Sequence, residues 1–500
     1  ETGKLQQLEN LKSKLPEELI SLMKLETLGP ERVKTLYNEL DIKNFSDLQK
    51  AAEADKIKTL DGFGQKTQDT IQEELLRFQK QGEKNRFKWV IAEEYVQPLY
   101  DYLKNINGVK LIDVAGSYRR RKETVGDIDI LVSCKKDTDV MDKFVKYEDV
   151  ERIISKGDTK SSVVLRNDLQ VDLRVVPHSG YGAALLYFTG CKAHNIAVRK
   201  MGVEKGLKIN EYGVFRDKQR IGGKTETEVY DQVDLPYIPP ELRENRGEFE
   251  AAERDNLPHL IELSDIKGDL QSHTKASDGK FSLRDMAKAA QKKGYDYLAV
   301  TDHSKRVSMA GGLDEKALAE HIENMQELNK SFKNFRILKS IEVDILEDGS
   351  LDLSDDILKE LDIVICAIHY NTKLSQKKQT RRVLTAMENP CFHIFAHPTG
   401  RLIGERREYD IDMQAVMKGA RENGCYLELN AHPDRLDLSD TYCKMAKDMG
   451  IRLAISTDAH TTSDLDNMRF GIGQARRGWL EADDVLNTRS WKDLKTLIKR

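Results

Sequence analysis

Apolar and polar positions divide the chain into stretches of different period. Residues 25–37 and 57–75 repeat one theme, helical spacing around a glycine turn: Leu28-Gly29-Pro30 in the first, Leu60-Asp61-Gly62-Phe63-Gly64-Gln65-Lys66-Thr67 in the second. From about 87 to 177, helix-like runs alternate with β-rich ones at 111–115, 128–133 and 163–176, as a mixed sheet requires. Residues 178–230 read as a second α+β unit. Leu235-Pro236-Tyr237-Ile238-Pro239-Pro240 and the charged run over 244–254 read as an extended linker, because proline fixes the backbone and removes a donor. Beyond about 262, seven short β-rich runs alternate with helical ones, which is β/α-barrel patterning. The expected fold class is therefore multidomain, α+β and α/β. The expected domains are 1–86, 87–177, 178–234, a linker at 235–262, and 263–500.

Composition narrows the class. Five hundred residues exceed what one core organises, so several domains are expected. With 33% charged residues but a net charge of only −4, affinity for a polyanion has to come from local basic faces such as Arg119-Arg120-Arg121-Lys122. No apolar run approaches the roughly 18 residues of a membrane span, and no signal-peptide pattern is present. An intracellular protein without a membrane partner is expected, and the six scattered cysteines, lacking any Cys-x-x-Cys pair, suit reduced thiols.

The densest candidate chemistry lies in Gly116-Ser117-Tyr118-Arg119-Arg120-Arg121-Lys122-Glu123-Thr124-Val125-Gly126-Asp127-Ile128-Asp129. Asp127 and Asp129 alternate on a strand, so their carboxylates share one face, and a third acid, Asp172, follows in Val171-Asp172-Leu173-Arg174. Like charges this close are tolerable with cations between them, and hard oxygen ligands favour Mg²⁺ or Mn²⁺. A pair of such ions stabilises the attacking and leaving oxygens of phosphoryl transfer. Gly116-Ser117 follows an apolar strand, where backbone N–H groups and a hydroxyl can hold a triphosphate.

This stretch resembles the nucleotidyltransferase signature of the X-family DNA polymerases, the polymerase β kind, in which Gly-Ser leads through an arginine pair to Gly-Asp-x-Asp. Tyr187-Phe188-Thr189-Gly190-Cys191-Lys192-Ala193-His194-Asn195, followed by Arg199, is similar to that family's nucleotide-binding segment, with Cys191 where serine is usual. The resemblance implies a nucleotidyltransferase palm in which Asp127 and Asp129 bind both metals, while Asp172 binds the catalytic ion and helps activate the primer 3′-hydroxyl. It implies that Gly116, Ser117, Arg120 and Gly126 belong to the nucleotide site, with Ser117 and Arg120 on the triphosphate. Tyr187 and Phe188 would line the sugar, Gly190 would allow close backbone approach, Asn195 would touch the base edge and Arg199 the template side. Gln170 stands where polymerase β has arginine. The two glycine turns resemble helix-hairpin-helix motifs, implying DNA-phosphate contacts at Gly29, Gly62, Gly64 and Lys66, although Thr27 replaces a usual glycine. The opening Glu1-Thr2-Gly3 resembles sequence just after the first DNA-binding hairpin of the family's amino-terminal small domain, so a chain lacking that domain is expected.

In the carboxy-terminal half, polar residues of metal-ligand chemistry collect where the β-rich runs end: Asp269-Leu270-Gln271-Ser272-His273 with Asp278, Thr301-Asp302-His303, Glu342, His369, His397, Glu428 with Asn430, and Asp458-Ala459-His460. Active sites of β/α barrels gather at those strand ends. The segment resembles the PHP (polymerase and histidinol phosphatase) domain, a distorted seven-stranded β/α barrel for phosphoester hydrolysis. The resemblance implies up to three Mn²⁺ or Zn²⁺ ions on Gln271, His273, Asp278, His303, Glu342, His369, His397, Asp458 and His460. Gln271 departs from the family's histidine, and an amide is the poorer ligand for such ions.

Together these resemblances imply a monomeric, cytoplasmic enzyme, nucleoid-associated during repair. It would use deoxynucleoside triphosphates on gapped or primer-template DNA, with a 3′→5′ exonuclease weakened by Gln271. The rivals are a template-independent terminal transferase and a DNA-end-binding scaffold with an inactive barrel.

Overall fold

A computed structural model describes residues 22, 27–28, 30–40, 42–43, 45–60, 62–80 and 86–499. It divides into two compact units, residues 1–86 and 87–500.

The first unit contains helices α1 (Pro30–Leu40), α2 (Phe45–Glu53) and α3 (Gln65–Lys80) around a small core that includes Leu36, Leu48, Ile57, Phe63 and Ile71. The second glycine turn lies between a short 3₁₀ turn, Ile57–Thr59, and α3. Gln68 fastens the two: its Oε1 accepts from Lys58 N–H at 2.9 Å, and its Nε2 donates to Asp55 at 2.5 Å. Gly62 has φ +78°, the left-handed region that glycine adopts without a Cβ penalty. Gly29 falls outside the described residues, as does the Lys66 side chain.

The second unit opens with helix α4 (Trp89–Lys104) and a mixed five-stranded sheet of β1 (Val109–Val114), β2 (Asp127–Cys134), β3 (Val150–Ser155), β4 (Lys160–Leu165) and β5 (Gln170–Val175). The strand order is β1-β2-β5-β4-β3. The β-rich run at 163–176 is two strands, because the chain reverses at Asn167-Asp168 with Asp168 at φ +67°. That reversal sets β5 parallel to β2, pairing Asp127 with Gln170 and Asp129 with Asp172. On β2 the alternation is strict: Ile128 and Ile130 are fully buried on one face while Asp127 and Asp129 point to the other.

Helices α5 (Gly116–Arg119), α6 (Tyr181–Thr189) and α7 (Lys192–Glu204) follow, with a small antiparallel sheet of β6 (Lys208–Asn210), β7 (Gly213–Arg216) and β8 (Gln219–Gly222). The stretch expected to be an extended linker does not run free. Leu235, Ile238, Leu242, Phe249 and Ala252 are buried in the core beneath α6, α7 and this sheet. Its apolar residues between the prolines and charges decided the outcome, since their burial outweighs the cost of ordering the segment.

The last region is a seven-stranded parallel sheet in sequential order: β9 (Gly268–Asp269), β10 (Tyr297–Val300), β11 (Arg336–Asp344), β12 (Ile363–Ala367), β13 (Ile394–Phe395), β14 (Tyr426–Asn430) and β15 (Leu453–Ser456). A bridge between Ser272 and Ala459 brings its edges together, making a nearly closed barrel. Its outer helices start where Ser282, Asp314, Asp412 and Ser439 accept the backbone N–H three residues on. Among the described residues, no helix is long and apolar enough to cross a membrane.

Two candidate active sites

The palm site is a cavity of about 530 Å³ lined by residues including Ser117, Arg120, Asp127, Asp129 and Asn195. Strand β2 delivers the two aspartates, and β5 sets Asp172 beside Asp129. Burial, then the charges of Asp127 and Asp172, push the Asp129 carboxyl up to about 6. The chain itself supplies too little positive charge for this cluster, and a cation between the carboxylates reverses the penalty, so the residues present fit a divalent metal. Asp172 already has partners: Lys160 Nζ lies 3.0 Å away, and Gln170 Nε2 donates to it at 3.0 Å. Burial alone would raise its carboxyl, but the hydrogen bonds from Gln170, Lys160 and Ser162 hold it below the ordinary value.

Gly116 has φ +64°, and a Cβ there would stand 3.2 Å from Asp129 Oδ2, so glycine keeps the turn tight against the carboxylate. Gly190 closes α6 at φ +56°. Asn195 Nδ2 donates to the Tyr187 carbonyl at 2.6 Å. Arg199 lies over the Tyr187 ring at 4.8 Å, and Arg174 over the Phe188 ring at 4.3 Å, so both aromatics are braced by cations. Gly116, Tyr187, Phe188, Gly190 and Arg199 all line the cavity; Asp172 and Gly126 do not. Gly126 leads into β2.

Sequence reasoning treated the arginine run as one basic face. The structure separates it. Arg119 makes a bidentate pair with Glu226 at 2.8 and 2.7 Å, and Arg243 donates to the same carboxylate at 2.6 Å. Burial by itself would raise Glu226, yet Arg243 and Arg119 bring it down to about 2. Arg120 instead faces the cavity.

The second site lies at the carboxyl end of the barrel, in a cavity of about 350 Å³ lined by residues including Asp278, His303, Glu342, His369, His397 and Asp458. Three groups each bring ligand atoms within 4.8 Å of one another: His273, Asp278, His303 and His460; His303, Glu342 and His369; His273, Glu342 and Asp458. Shared members join the groups into one cluster. His273 Nε2 is 3.0 Å from Asp458 and 3.4 Å from Glu342, and His397 Nε2 is 3.0 Å from Glu342. Both His273 ring nitrogens and His303 Nδ1 nevertheless lack hydrogen-bond geometry to any partner. Buried imidazoles and carboxylates converging this way fit common cations rather than one another. Burial disfavours protonated His369 and His460, but Glu342 and Asp344 for the first, and Asp278 and Asp458 for the second, pull them up to about 10 and about 9.

Supporting carboxylates aim these ligands. Asp344 accepts from the His369 backbone at 3.0 Å and lies 3.1 Å from its Nδ1. Asp302 accepts from Thr274 N and Oγ1 and Ser277 N and Oγ at 2.6 to 3.2 Å, fixing the loop that carries Asp278. Glu428 accepts from His397 N at 2.6 Å, and Asn430 donates to Asp458 at 3.1 Å.

Gln271 is the exception. It is the one amide in the expected ligand set, fully buried and, like His273, not part of the cavity lining, and neither amide atom has a hydrogen-bond partner. Besides the apolar Val307, Met309 and Ala310, the sequence did not disclose Arg435 in the cavity wall: it sits 3.8 Å from Asp458 with its side chain 23% exposed. A single arginine in a loop after β14 carries no periodic or motif signal.

Residues 92–200 match the family model of the DNA polymerase beta palm, residues 184–244 that of the DNA polymerase beta thumb, and residues 269–432 that of the PHP domain. The chain is 41% identical over 502 residues to the DNA polymerase/3'-5' exonuclease PolX of Bacillus subtilis (strain 168), covering 100% of this chain and 87% of that protein. The barrel half is 30% identical over 231 residues to a probable phosphatase of Thermoanaerobacter sp. (strain X514), covering 44% of this chain and 89% of that protein. A likeness to Leishmania infantum polymerase beta, 20% identical and covering 45% of this chain and 98% of that one, has a TM-score of 0.33, too low to carry an argument. With the full-length match and the palm, thumb and barrel in this order, the chain belongs to the X-family DNA polymerases that carry a PHP domain.

Proposed function

We propose that the chain is a template-dependent DNA polymerase that fills short gaps, and that its barrel removes nucleotides in the 3′→5′ direction. The observation that carries the first activity is the set of three carboxylates on neighbouring parallel strands, two of them opening into a cavity rimmed by Ser117, Arg120 and Asn195. The Bacillus subtilis relative is named for both activities.

At the palm, Asp127, Asp129 and Asp172 would hold Mg²⁺ or Mn²⁺, which supplies charge stabilisation to the attacking and leaving oxygens. Asp172 pairs with Asp129 across the strands without lining the cavity, which suits a partner for the primer end. Lys160 and Gln170 orient that carboxylate. Ser117 and Arg120 bind the triphosphate of a deoxynucleoside triphosphate, the Gly116 turn lets its backbone approach Asp129, and Tyr187 and Phe188 support the sugar. Gly62 and Gly64 have open space beside them, which supports a phosphate contact by the second hairpin of the amino-terminal unit.

In the barrel, His273, Asp278, His303, Glu342, His369, His397, Asp458 and His460 would hold Mn²⁺ or Zn²⁺. Arg435 would meet the non-bridging oxygens of the scissile phosphate. Gln271, a buried amide where the family has an imidazole, would contribute weakly, so the nuclease is the slower activity. A cytoplasmic monomer acting on gapped or primer-template DNA completes the reading.

Primer extension on gapped DNA, with and without template, is the test. Extension that follows the template supports the reading. Untemplated addition at equal rate identifies a terminal transferase, and no addition at all leaves a DNA-end-binding scaffold.

A further inference from the structure

Arg119 and Arg120 are neighbours, but they are held from different sides. Arg119, Glu226 and Arg243 lie within the polymerase portion. Arg120 is held by the Thr189 carbonyl and by Glu244, a carboxylate that a residue of the barrel shares. Its Nε meets Glu244 Oε1 at 3.0 Å, and Arg477 Nη1 meets that same oxygen at 3.0 Å. Arg477 also donates to the Arg120 carbonyl at 2.8 Å, and its Nη2 reaches Asp440 at 2.6 Å, which in turn takes Arg246 at 3.1 Å. The Arg477 side chain is 2% exposed, those of Arg120 and Glu244 11% each, so this alternating row of charges is screened little by water. Arg477 ends helix α8 (Met468–Arg477) of the barrel, and Arg120 lines the nucleotide cavity.

We propose that Arg477 is a positioning residue for the polymerase centre: by sharing Glu244, it leaves Arg120 with uncompensated positive charge for the incoming triphosphate. Three relations support this. Glu244 alone would neutralise Arg120, because a buried one-to-one ion pair presents little net field to a ligand. With Arg477 in place the row Arg120, Glu244, Arg477, Asp440 and Arg246 sets three cations against two acids and so keeps a surplus positive charge. The contact of Arg477 with the Arg120 carbonyl also fixes the end of α5, and the N–H of Cys191, beside the same cavity, donates to the Arg243 carbonyl at 3.0 Å, next to Glu244. The barrel thus completes the triphosphate subsite of the neighbouring active centre. Burial would raise the Glu244 carboxyl, but Arg120, Arg477 and Lys122 hold it below its ordinary value, which keeps it ionised near neutral pH.

The inference rests on the polymerase reading, and single-nucleotide gap filling by the full chain tests both separately. Arg477→Met should raise KM for the nucleotide about tenfold while kcat changes less than about threefold, the signature of lost nucleotide binding. Arg477→Lys, which keeps the charge, should fall between. Adding Glu244→Gln to Arg477→Met removes the neutralising acid and should return KM to within about threefold of the parent, a rescue that simple damage to the barrel interface cannot give. Should Arg477→Met melt early, Arg477→Lys and the paired variant carry the same comparison. An unchanged KM in Arg477→Met, or no recovery in the paired variant, overturns the proposal. If the parent chain itself fails to incorporate nucleotides, the polymerase reading fails instead.

Discussion

Asp129 and Asp172 stand directly opposite each other on parallel neighbours β2 and β5, two carboxylates set side by side in a largely apolar sheet. A pairing of like charges at this distance destabilises a sheet unless something offsets it. Lys160 and Gln170 engage Asp172 from one side, whereas Asp129 retains a carboxyl raised to about 6. A divalent cation would relieve the strain on Asp129, and on the proposed reading Asp172 would share it.

Asp172→Asn should accordingly lower gap filling by at least about a hundredfold, while affinity for gapped DNA stays within a few-fold, since no phosphate contact is removed. Incorporation and DNA binding measured on one preparation check this. Substantial residual extension would move the catalytic acid elsewhere.

Glu226 gives a pH-dependent stability. Its folded value of about 2 lies below the ordinary 4.5, so its contribution is full above about pH 4.5 and is lost as pH falls toward about 2. Because Glu226 is only 7% exposed, that difference corresponds to roughly 3 kcal/mol, an upper bound once burial of Arg119 and Arg243 is considered. Glu226→Gln should lower the melting temperature at pH 7, and the gap to the parent should shrink between about pH 4.5 and pH 2. A gap constant across that window would show that the two arginines do not depend on the charge.

The aspartate alternation on β2 and the recurrence of histidine at successive barrel strand ends were legible because each rests on a short period: two residues along a strand, and one β/α unit around a barrel. Contacts between distant segments were not. Nothing local marks Glu226 as the partner of Arg119, Arg477 as the partner of Glu244, or Arg435 as a wall of the metal cavity, because each depends on how separate elements pack. Prolines and charges at 235–254 read as a linker, whereas Leu235, Ile238 and Phe249 between them anchor the segment in a core. Asp302 likewise reads as a further polar residue of a strand end, and Asp344 carries no signal of its own; only their hydrogen bonds show what they hold in place.

Arg435 should matter to the nuclease alone. Arg435→Gln keeps a polar side chain but removes the charge facing the phosphate, so 3′→5′ degradation should fall about ten- to a hundredfold with gap filling unchanged. The comparison is best made alongside Gln271→His, where the parent rate is expected to be higher. Equal rates with and without the charge would make Arg435 only a partner of Asp458.

Gln271 is the most informative single position in the barrel. A fully buried amide with neither atom hydrogen-bonded costs about 1–3 kcal/mol per unsatisfied group unless a further partner takes it up. At the matching position the PHP pattern has an imidazole, whose nitrogen binds Mn²⁺ or Zn²⁺ far better than an amide oxygen does. His273, two residues on at the same strand end, already converges with Glu342 and Asp458, so an added imidazole would stand beside an existing set of donors. Gln271→His should therefore raise the metal content of the purified protein and speed Mn²⁺-dependent 3′→5′ degradation of single-stranded DNA at least about tenfold, leaving gap filling as it was. Metal analysis and degradation rate are read on the same samples. A parent protein that already holds three ions per barrel and gains no nuclease rate from histidine would show that the amide is an adequate ligand, and that the slow step lies elsewhere.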